Sequence, residues 1–506
     1  MQATTIRLHQ DDDVLIARST LMENVEVAPG VRTTMRIPAG HKVAIKPLAV
    51  GAPIHRYGQI IGFATAPIAP GEQVHVHNCG MGDFAKDYAY TVDARPTAMA
   101  NEQLTFQGIR RPDGRVATRN YIGILTSVNC SAHTADLVAD QFKRNPMTGH
   151  DPLADYPNVD GVVALTHKTG CGMTDGEPLR LLRRTLAGYA RHVNFSHIIV
   201  IGLGCEVNQI GGLIEEQALA GRVRNMDIQT MGGIRKTVAA GVAFVREVLA
   251  EANEVHREPA PLSELTVALQ CGGSDGYSGV SANPALGHAS DLLVRHGGAV
   301  ILSETPETYG AEHLLTRRAV TQEVGEKLVA LMRWWEDYTA REGAEMNANP
   351  SPGNKAGGLT TILEKSLGAM AKAGTTNLVD VVRYAEPVTA RGFVFMDTPG
   401  YDPVAATGQV AGGANLVCFT TGRGSVFGCK PAPSIKLATN TSMFVRMEED
   451  MDINCGTILD GAETVEQCGA RIFQHIIRTA SGEKTKSETY DAGQAEFAPW
   501  VIGATM

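Results

Sequence analysis

Three apolar runs decide the fold of this chain: YIGILTSV at 121–128, GVVALTH at 161–167 and HIIVIGLG at 197–204. Each run is rich in Val, Ile and Leu, and each leads into a turn that contains a cysteine. Helical spacing appears in the stretches 179–193 and 233–254. Because strands that alternate with helices form βαβ units, the pattern predicts a parallel sheet covered by helices.

A second series of the same kind follows the Pro-containing stretch HREPAPLSE. Its strand-and-turn units are LTVALQCGG (265–273), AVILSE (299–304), GFVFMDTPG (392–400) and NLVCFTTGRG (415–424). We therefore predict two consecutive α/β domains, a central one at 113–258 and a C-terminal one at 259–506.

The N-terminal part has a different pattern. Residues 1–92 contain short alternations such as VLIA, HKVAIKPL and GEQVHVHN, broken by Pro and Gly, and they lack a long helical period. This predicts a small all-β domain. Residues 93–112 are polar and weakly patterned, which indicates a linker.

Composition excludes several classes of function. The net charge is −9 and no block of Lys and Arg occurs, so neither nucleic acid nor an anionic membrane is expected as a partner. No apolar run approaches the roughly 18–20 residues that span a bilayer. The first residues lack the pattern of a signal peptide, so we expect a cytoplasmic protein.

The nine cysteines are scattered and odd in number, with no CxxC, which does not indicate a disulfide framework. Four of them lie among small or Gly-rich neighbours: Cys130, Cys171, Cys205 and Cys271. The first three follow predicted strands of the central domain, where they could together bind an iron–sulfur cluster. No characteristic cluster spacing occurs, however, and the sequence therefore argues against one.

Ligands of open parallel sheets bind beyond the carboxyl ends of the strands, so the polar turns of this chain matter most. None of them is a GxGxxG followed by an acidic residue, nor a GxxxxGK[ST] motif. This argues against a nucleotide-dependent oxidoreductase.

Taken in order, these turns resemble the altronate/galactarate dehydratase family over nearly the whole chain. The motifs that carry the resemblance are GHKVAI (40–45), RYGQIIG (56–62), GEQVHVHN (71–78), NVDGVVALTHKTGCG (158–172), VIGLGCEVNQ (200–209), CGGSDGYSGVSANP (271–284), NPSPGNKAGG (349–358), FTTGRG (419–424) and DINCG (452–456).

The resemblance implies an N-terminal β-clip (SAF) domain and a C-terminal Rossmann-like parallel sheet with a crossover. It also implies a divalent metal, typically Fe(II), with Mn(II) as the alternative, and a homodimer formed through the central domain. The expected function is dehydration of a sugar acid to a 2-keto-3-deoxy acid, and a related branch removes sulfite from sulfolactate.

The subtype is open between two substrates. HVHN (75–78), ETPETYGAEHLL (304–315) and NPSPGNKAGG resemble altronate dehydratases, whereas DINCGTILDG (452–461) resembles galactarate dehydratases. We favour D-altronate, with galactarate as the alternative. A non-catalytic sugar-acid sensor would need fewer of the Gly-rich polar turns that both later domains contain.

Dehydration of a 2,3-dihydroxy acid removes a very weakly acidic proton next to a carboxylate. A divalent metal can stabilise the charge that develops, while a base takes the C2 proton and an acid protonates the departing C3 hydroxyl. Cys271 and Glu304 follow predicted strands and are our expected metal ligands, together with Asp275. The structural alternatives are close packing at Cys271 and a helix cap at Glu304.

For the base we favour His167, at a predicted strand end, because imidazole titrates near neutral pH. The alternative is a core histidine bonded to the backbone. His133 and Lys355 are the next candidates for the catalytic proton transfer.

The expected substrate-binding residues are polar groups near Gly-rich turns. His75 and His77 alternate in what we predict to be a strand, so both would face the same side. Arg423 can hold a carboxylate with two hydrogen bonds, and Lys355 offers a point charge. The remaining predicted binding residues are His41, Asn283 and Asn354.

Overall fold

The structure is a computed structural model, and it describes residues 4–82, 84, 86–145 and 147–506. The N-terminal domain contains short strands joined by turns. These strands are β1 (Thr5–Ile6), β2 (Val14–Ala17), β3 (Glu26–Ala28), β4 (Val31–Arg32), β5 (Lys42–Ala44), β6 (Pro53–Arg56), β7 (Gln59–Ala64), β8 (Gln73–Val74) and β9 (Cys79–Gly80).

The N-terminal strands form antiparallel sheets in the orders β1-β2-β5-β8 and β6-β7-β9, with β3 and β4 as a separate pair. Their core includes Val14, Ile54, Ile61 and Val74, all buried. The prediction of a small all-β domain is confirmed, because alternating short segments can bury one face without a helix.

The central domain contains a parallel sheet with helices around it. Its strands are β10 (Thr105–Arg110), β11 (Val116–Ala117), β12 (Tyr121–Thr126), β13 (Gly161–Leu165), β14 (Phe195–Gly202), β15 (Arg224–Asp227) and β16 (Arg257–Pro261). Its helices are α1 (Ala132–Ala139), α2 (Glu177–Ala190), α3 (Ile210–Glu216), α4 (Ile228–Met231) and α5 (Ile234–Asn253).

The parallel order in this domain is β13-β12-β14-β15, and the apolar runs at 121–128, 161–167 and 197–204 form its first three members. The strand β10 pairs antiparallel with both β11 and β16. The predicted linker 93–112 therefore ends in a strand, because Phe106 and Ile109 are buried there.

The C-terminal domain has a larger parallel sheet. Its strands are β17 (Thr266–Cys271), β18 (Ala299–Leu302), β19 (Leu378–Val382), β20 (Gly392–Met396), β21 (Leu416–Thr421), β22 (Ser434–Ala438) and β23 (Ile453–Asn454). Its helices are α6 (Ala282–Arg295), α7 (His313–Thr316), α8 (Gln322–Arg341), α9 (Pro352–Ala356), α10 (Ile362–Met370), α11 (Asp402–Ala411), α12 (Thr441–Arg446), α13 (Val465–Ala480) and α14 (Lys486–Thr489).

The strand order is β19-β20-β18-β17-β21-β22-β23, and all neighbours are parallel. The chain passes from β17 to β18, forms β19 at the edge, returns to form β20 between β18 and β19, and then crosses β17 to form β21. The order reverses at β17, where open α/β sheets bind their ligands. Among the described residues, no helix is long and apolar enough to cross a membrane.

The N-terminal domain is attached to the C-terminal domain through a buried cluster of charges. Lys42 Nζ donates to Glu364 Oε2 at 2.9 Å, and Arg56 Nη1 donates to Glu364 Oε1 at 2.5 Å. All three side chains are fully buried. Burial alone would raise the pKa of Glu364, but the two cations outweigh it and lower that pKa to about 2.

Candidate active site

Cys271 and two glutamates meet at the carboxyl end of the C-terminal sheet. Cys271 is the last residue of β17, and Glu304 comes two residues after β18. The Glu304 backbone has the left-handed φ of 67°, and its N–H donates to Thr398 Oγ1 at 2.8 Å. This turn leads into a 3-10 turn at Thr305–Thr308, which carries Glu307.

The three side chains form a buried group of ligand atoms. Cys271 Sγ lies 3.6 Å from Glu304 Oε2 and 3.7 Å from Glu307 Oε2. One ligand atom from each residue lies within 4.8 Å of the other two, and each residue is at most 2% exposed. The arrangement has the size of a single-ion site.

Two buried lysines balance the charge of this group. Lys372 Nζ lies 3.3 Å from Glu304 Oε2, and Lys365 Nζ lies 2.7 Å from Glu307 Oε1. Lys365 belongs to α10, whose N-cap Thr361 accepts a hydrogen bond from the Glu364 N–H. The two ion pairs reduce the cost of burying carboxylates away from water.

Asp402 extends the group on another side. It is the first residue of α11, and a Cβ on Gly272 would come within 2.1 Å of its Oδ2. Glycine is therefore required next to Cys271 for this approach. Burial, with repulsion from Glu307 as a second cause, raises the pKa of Asp402 to about 6.

The pKa values of the cluster reflect burial and crowding of negative charge. Burial, followed by repulsion from Glu307, raises the pKa of Glu304 to about 8. Burial and the nearby Glu304 raise the pKa of the Cys271 thiol to about 12. Burial would lower the pKa of Lys372, but Cys271 and Glu304 outweigh it and raise that pKa. A cation would reverse the shifts of the acids, since a thiol that binds a metal is deprotonated.

The residues present fit a divalent metal. Glu304 Oε1 is buried and has no hydrogen-bond partner, which leaves it available as a ligand. Glu307 Oε2 and Cys271 Sγ face the same point, while Lys365 and Asn349 bond the other Glu307 oxygen. A thiolate with two carboxylates combines soft and hard donors, a set compatible with Fe(II).

Asp275, the third predicted metal ligand, lies outside this group. Its carboxylate accepts hydrogen bonds from Ser278 Oγ at 3.1 Å, from Thr439 Oγ1 at 3.1 and 3.2 Å and from Asn440 Nδ2 at 3.3 Å. The glycines that follow Cys271 turn the chain away from Glu304 before Asp275 is reached. The structure places Glu307 where we expected Asp275.

His167 occupies the position of a core histidine. Its Nε2 bonds to Thr126 O at 2.9 Å, and its Nδ1 accepts from the Thr169 N–H at 3.3 Å. Burial lowers its pKa to about 4. Both ring nitrogens are used by the backbone, which is the alternative that the sequence left open. His133 is exposed on α1.

The predicted strand with alternating histidines is wrong in its extent. The strand β8 stops at Val74, and His75 and His77 lie in a turn. Asn78 stabilises this turn, because its Oδ1 accepts from the His75 N–H at 2.9 Å. His77 is exposed, whereas the rings of His75 and His41 lie 4.8 Å apart.

The other predicted binding residues divide into buried and accessible side chains. Asn283 Nδ2 donates to Gly368 O and its Oδ1 accepts from Thr420, while Asn354 closes a capping box with Ser351 at the start of α9. These two amides serve the fold. Lys355 is half-buried on α9, one residue before Ala356, whose carbonyl lies 3.3 Å from His41 Nε2. Arg423 is exposed.

Sequence reasoning missed Glu307, Lys365, Lys372 and Asp402. One signal was present: Lys365 and Lys372 are seven residues apart in the mainly apolar stretch ILEKSLGAMAKA, a spacing that predicts one helical face for both. Lysines on an apolar face are buried only when they are paired, so they indicate carboxylates nearby.

A thiol, acidic groups and paired lysines lie together at the switch point of a parallel sheet, where α/β enzymes bind their ligands. The comparisons make the class specific. Residues 3–82 match the altronate/galactarate dehydratase SAF domain, residues 108–253 the second domain of D-galactarate dehydratase/altronate hydrolase, and residues 262–505 the C-terminal domain of D-galactarate/altronate dehydratase. The chain belongs to the altronate/galactarate dehydratase family and is a hydro-lyase of the sugar-acid dehydratase type.

Known relatives align with most or nearly all of the chain. Altronate dehydratase of Bacillus subtilis is 35% identical over 508 residues, which cover 99% of each chain. Galactarate dehydratase (L-threo-forming) of Escherichia coli is 39% identical over 492 residues, 95% of this chain and 93% of the relative. The beta subunit of (2R)-sulfolactate sulfo-lyase of Chromohalobacter salexigens is 33% identical over 397 residues, 78% and 96% of the two chains. The predicted family and fold class are confirmed.

Proposed function

We propose that this enzyme converts D-altronate to a 2-keto-3-deoxy acid with a divalent metal held by Cys271, Glu304 and Glu307. The observation that carries the proposal is the buried group of these three side chains, with one carboxylate oxygen unpartnered. Fe(II) is the proposed ion and Mn(II) the alternative. The proposed assembly is a homodimer formed through the central domain.

Galactarate is the second candidate substrate, because galactarate dehydratase and altronate dehydratase are both similar to the whole chain. The two acids share the carboxylate and the C2 and C3 hydroxyls, and they differ at the far end. Recognition of that end lies outside the ligand group, so the group itself is compatible with either substrate.

In this mechanism the metal, when bound, supplies the Lewis acidity that stabilises charge on the substrate carboxylate. A base removes the C2 proton, the C3–O bond breaks, and the hydroxyl leaves as water after it receives a proton. The resulting enol tautomerises to the 2-keto acid. Lys365 and Lys372 remain protonated beside the carboxylates and add positive charge where the enediolate develops.

We propose Asp402 as the base, because its carboxylate lies against Gly272, the residue after Cys271, and is close enough to Glu307 to feel its charge. His167 is the base that the sequence predicts. Its two bonds to the backbone leave it no free ring nitrogen, so it must reorganise before it can accept a proton.

The test is an anaerobic assay of the metal-stripped protein against a panel of sugar acids that includes D-altronate and galactarate, with detection of 2-keto-3-deoxy products. We expect no turnover without metal and recovery with Fe(II). Full activity of the stripped protein would refute the metal requirement, and turnover of galactarate alone would select the second substrate.

Measurement of the bound metal per chain in cysteine variants tests whether Cys271 is a metal ligand. Cys271→Ala should lower the bound metal per chain, whereas Cys418→Ala should not. Cys418 is a matched control because it lies buried in the neighbouring strand β21, in register with Leu269 and away from the ligand group. Equal metal content in both variants would remove Cys271 from the site.

A further inference from the structure

Three cysteines are exposed, and all of them lie at one edge of the central sheet. Cys130 is in the 3-10 turn after β12, Cys171 in the turn after β13 and Cys205 in the turn after β14. The other six cysteines are buried. Because β13, β12 and β14 are neighbouring parallel strands, their carboxyl ends bring the three turns together.

Backbone hydrogen bonds tie these turns to one another. The Asn129 N–H donates to Thr169 O at 2.9 Å, which joins the turns of Cys130 and Cys171. The Asn208 N–H donates to Gly170 O at 3.0 Å, which joins the turns of Cys171 and Cys205. A backbone hydrogen bond between neighbouring turns therefore lies within a few residues of each cysteine and keeps the turns close together.

Gly170 shows how closely two of the turns pack. Its φ is +102°, and a Cβ at this position would lie 2.3 Å from Ser127 O and 2.7 Å from the Val128 Cα. The turn that carries Cys171 is thus pressed onto the start of the turn that carries Cys130. Only glycine permits both the backbone conformation and the approach.

The charges near the edge favour an anionic ligand group. Cys130 precedes the N-terminus of α1, where the helix dipole stabilises negative charge. Lys168 is exposed in the same turn as Cys171. The neighbouring carboxylate of Glu206 is buried and already accepts from Ser127 Oγ at 2.5 Å and from the Gly204 N–H at 2.6 Å.

The spacing of the Cys130, Cys171 and Cys205 sulfur atoms limits which inorganic ligand they can share. In the described part of the chain, the group of three donor atoms within 4.8 Å of one another is the one at Cys271, so the three exposed sulfurs are spread more widely. A single tetrahedral zinc at about 2.3 Å from each sulfur needs sulfurs roughly 3.8 Å apart. A multinuclear iron–sulfur cluster spans a wider set of thiolates.

We propose that Cys130, Cys171 and Cys205 bind a [4Fe–4S] cluster, one thiolate to each of three irons, with the fourth iron open to an oxygen ligand. Each thiol releases its proton to solvent when it binds, while two Fe(II), two Fe(III) and four sulfides come from solution, so the cluster forms without a further oxidant. The sequence argued against a cluster because the ligands come from three strand ends instead of one short motif. The proposal does not rest on dehydration at Cys271.

The experiment is anaerobic reconstitution of the full chain with Fe(II) and Fe(III) in equal amounts and with sulfide, followed by visible absorption and by counts of iron and acid-labile sulfide. We expect broad visible absorption and about four labile sulfides per chain. Cys130→Ser, Cys171→Ser and Cys205→Ser should each lose most of the sulfide. Cys271→Ala is the control and should keep it, because it alters only the other metal site.

A second measurement needs no variant. Alkylation of the wild-type chain should label the three exposed cysteines before reconstitution, and the cluster should protect all three afterwards. Absence of labile sulfide in the reconstituted chain, unprotected cysteines, or retention of sulfide in the triple serine variant would overturn the proposal. Because the sulfide content is measured without turnover, it tests the cluster even if the dehydratase assay fails.

Discussion

The carboxyl ends of the two parallel sheets carry cysteines in opposite surroundings. At the C-terminal sheet, Cys271 is buried with two glutamates and two lysines, whereas at the central sheet Cys130, Cys171 and Cys205 are exposed in turns. Both edges follow the rule that parallel sheets place their ligands beyond the strand ends. The two edges differ in what covers them. The helices α10 and α11 cover the edge of the C-terminal sheet with charged side chains, whereas the edge of the central sheet is open to solvent.

The comparison teaches that burial determines the chemistry which a strand-end cysteine can support. A buried thiol beside carboxylates holds its proton until a cation replaces it, as the raised pKa of Cys271 shows. An exposed thiol near a helix N-terminus is accessible to iron and to oxidants. We therefore assign dehydration to the buried edge, and the following predictions test that assignment.

The largest effect is expected at Glu304. Glu304→Gln removes a charged ligand, and because metal-ion stabilisation is worth several kcal/mol, kcat should fall by roughly 10³–10⁴-fold. Glu386→Gln, at a carboxylate that pairs with Arg184, is the control and should leave kcat unchanged. Wild-type turnover in the Glu304 variant would break the comparison, since the buried edge would then not be catalytic.

The next prediction asks which edge supplies the base. Asp402→Asn should lower kcat by about 10²–10⁴-fold and stop exchange of the substrate C2 hydrogen with solvent deuterium, while metal content stays constant. His167→Gln, at the central edge, should lower exchange much less. If the histidine variant loses exchange and the aspartate variant keeps it, the base comes from the central domain, as the sequence predicts.

The third prediction concerns the packing of the β-clip against the buried edge. Glu364→Gln leaves Lys42 and Arg56 buried without a counter-charge, so the free energy of unfolding should fall by about 3–5 kcal/mol. Chemical denaturation measures this loss, and Lys46→Met, at a half-exposed partner of Asp13, is the control. A loss below about 1 kcal/mol, typical of surface pairs, would show that the triad is not desolvated.

This triad also changes the outcome expected from deletion of residues 1–92. The sequence predicts that such a truncation abolishes turnover while the later domains stay folded. Removal of Lys42 and Arg56 would instead leave Glu364 without a cation, next in sequence to Lys365, which pairs with Glu307 of the ligand group. Loss of activity in that truncation would therefore not distinguish a catalytic role from a structural one.

The smallest effect is a pH dependence of the metal-free protein. The pKa of Glu304 is raised in the folded state, so folding is favoured by its protonation at low pH and this contribution is lost as the pH rises toward about 8. When the pH is raised from 6 to 9, the midpoint temperature of thermal unfolding should decrease more in the wild type than in Glu304→Gln. Saturation with metal should remove the difference, and parallel curves without metal would contradict the raised pKa.

Sequence patterns were most informative for strands with a continuous apolar run and least informative for strands of mixed composition. The runs that form β12, β13, β14, β17, β18, β20 and β21 were recognised because both faces of these strands are buried and their residues are continuously apolar. The edge strands β15, β19 and β23 and the inner strand β22 were missed. Polar residues interrupt the apolar pattern in these strands, as in RNMD of β15 and SIKLA of β22.

The positions of side chains in turns were also difficult to predict from the sequence. The alternation VHVH predicts a strand, yet the Asn78 side chain bonds to the backbone and closes a turn there. Asp275 is four residues from Cys271 in sequence but bonds to Thr439 on the other side of β17. Local pattern does not show the direction in which a Gly-rich turn leads a side chain.

The sequence by itself determined the all-β domain, the two α/β domains, the family and the placement of Cys271 and Glu304 at strand ends, because hydrophobic periodicity and strand-end turns are local properties. Only the tertiary structure decided that Glu307, Lys365, Lys372 and Asp402 surround that cysteine. These residues come from two 3-10 turns and two helices that are distant from Cys271 in sequence, and only packing of these elements onto the sheet brings their charges together. The same packing left Cys130, Cys171 and Cys205 exposed, which no spacing in the sequence indicated.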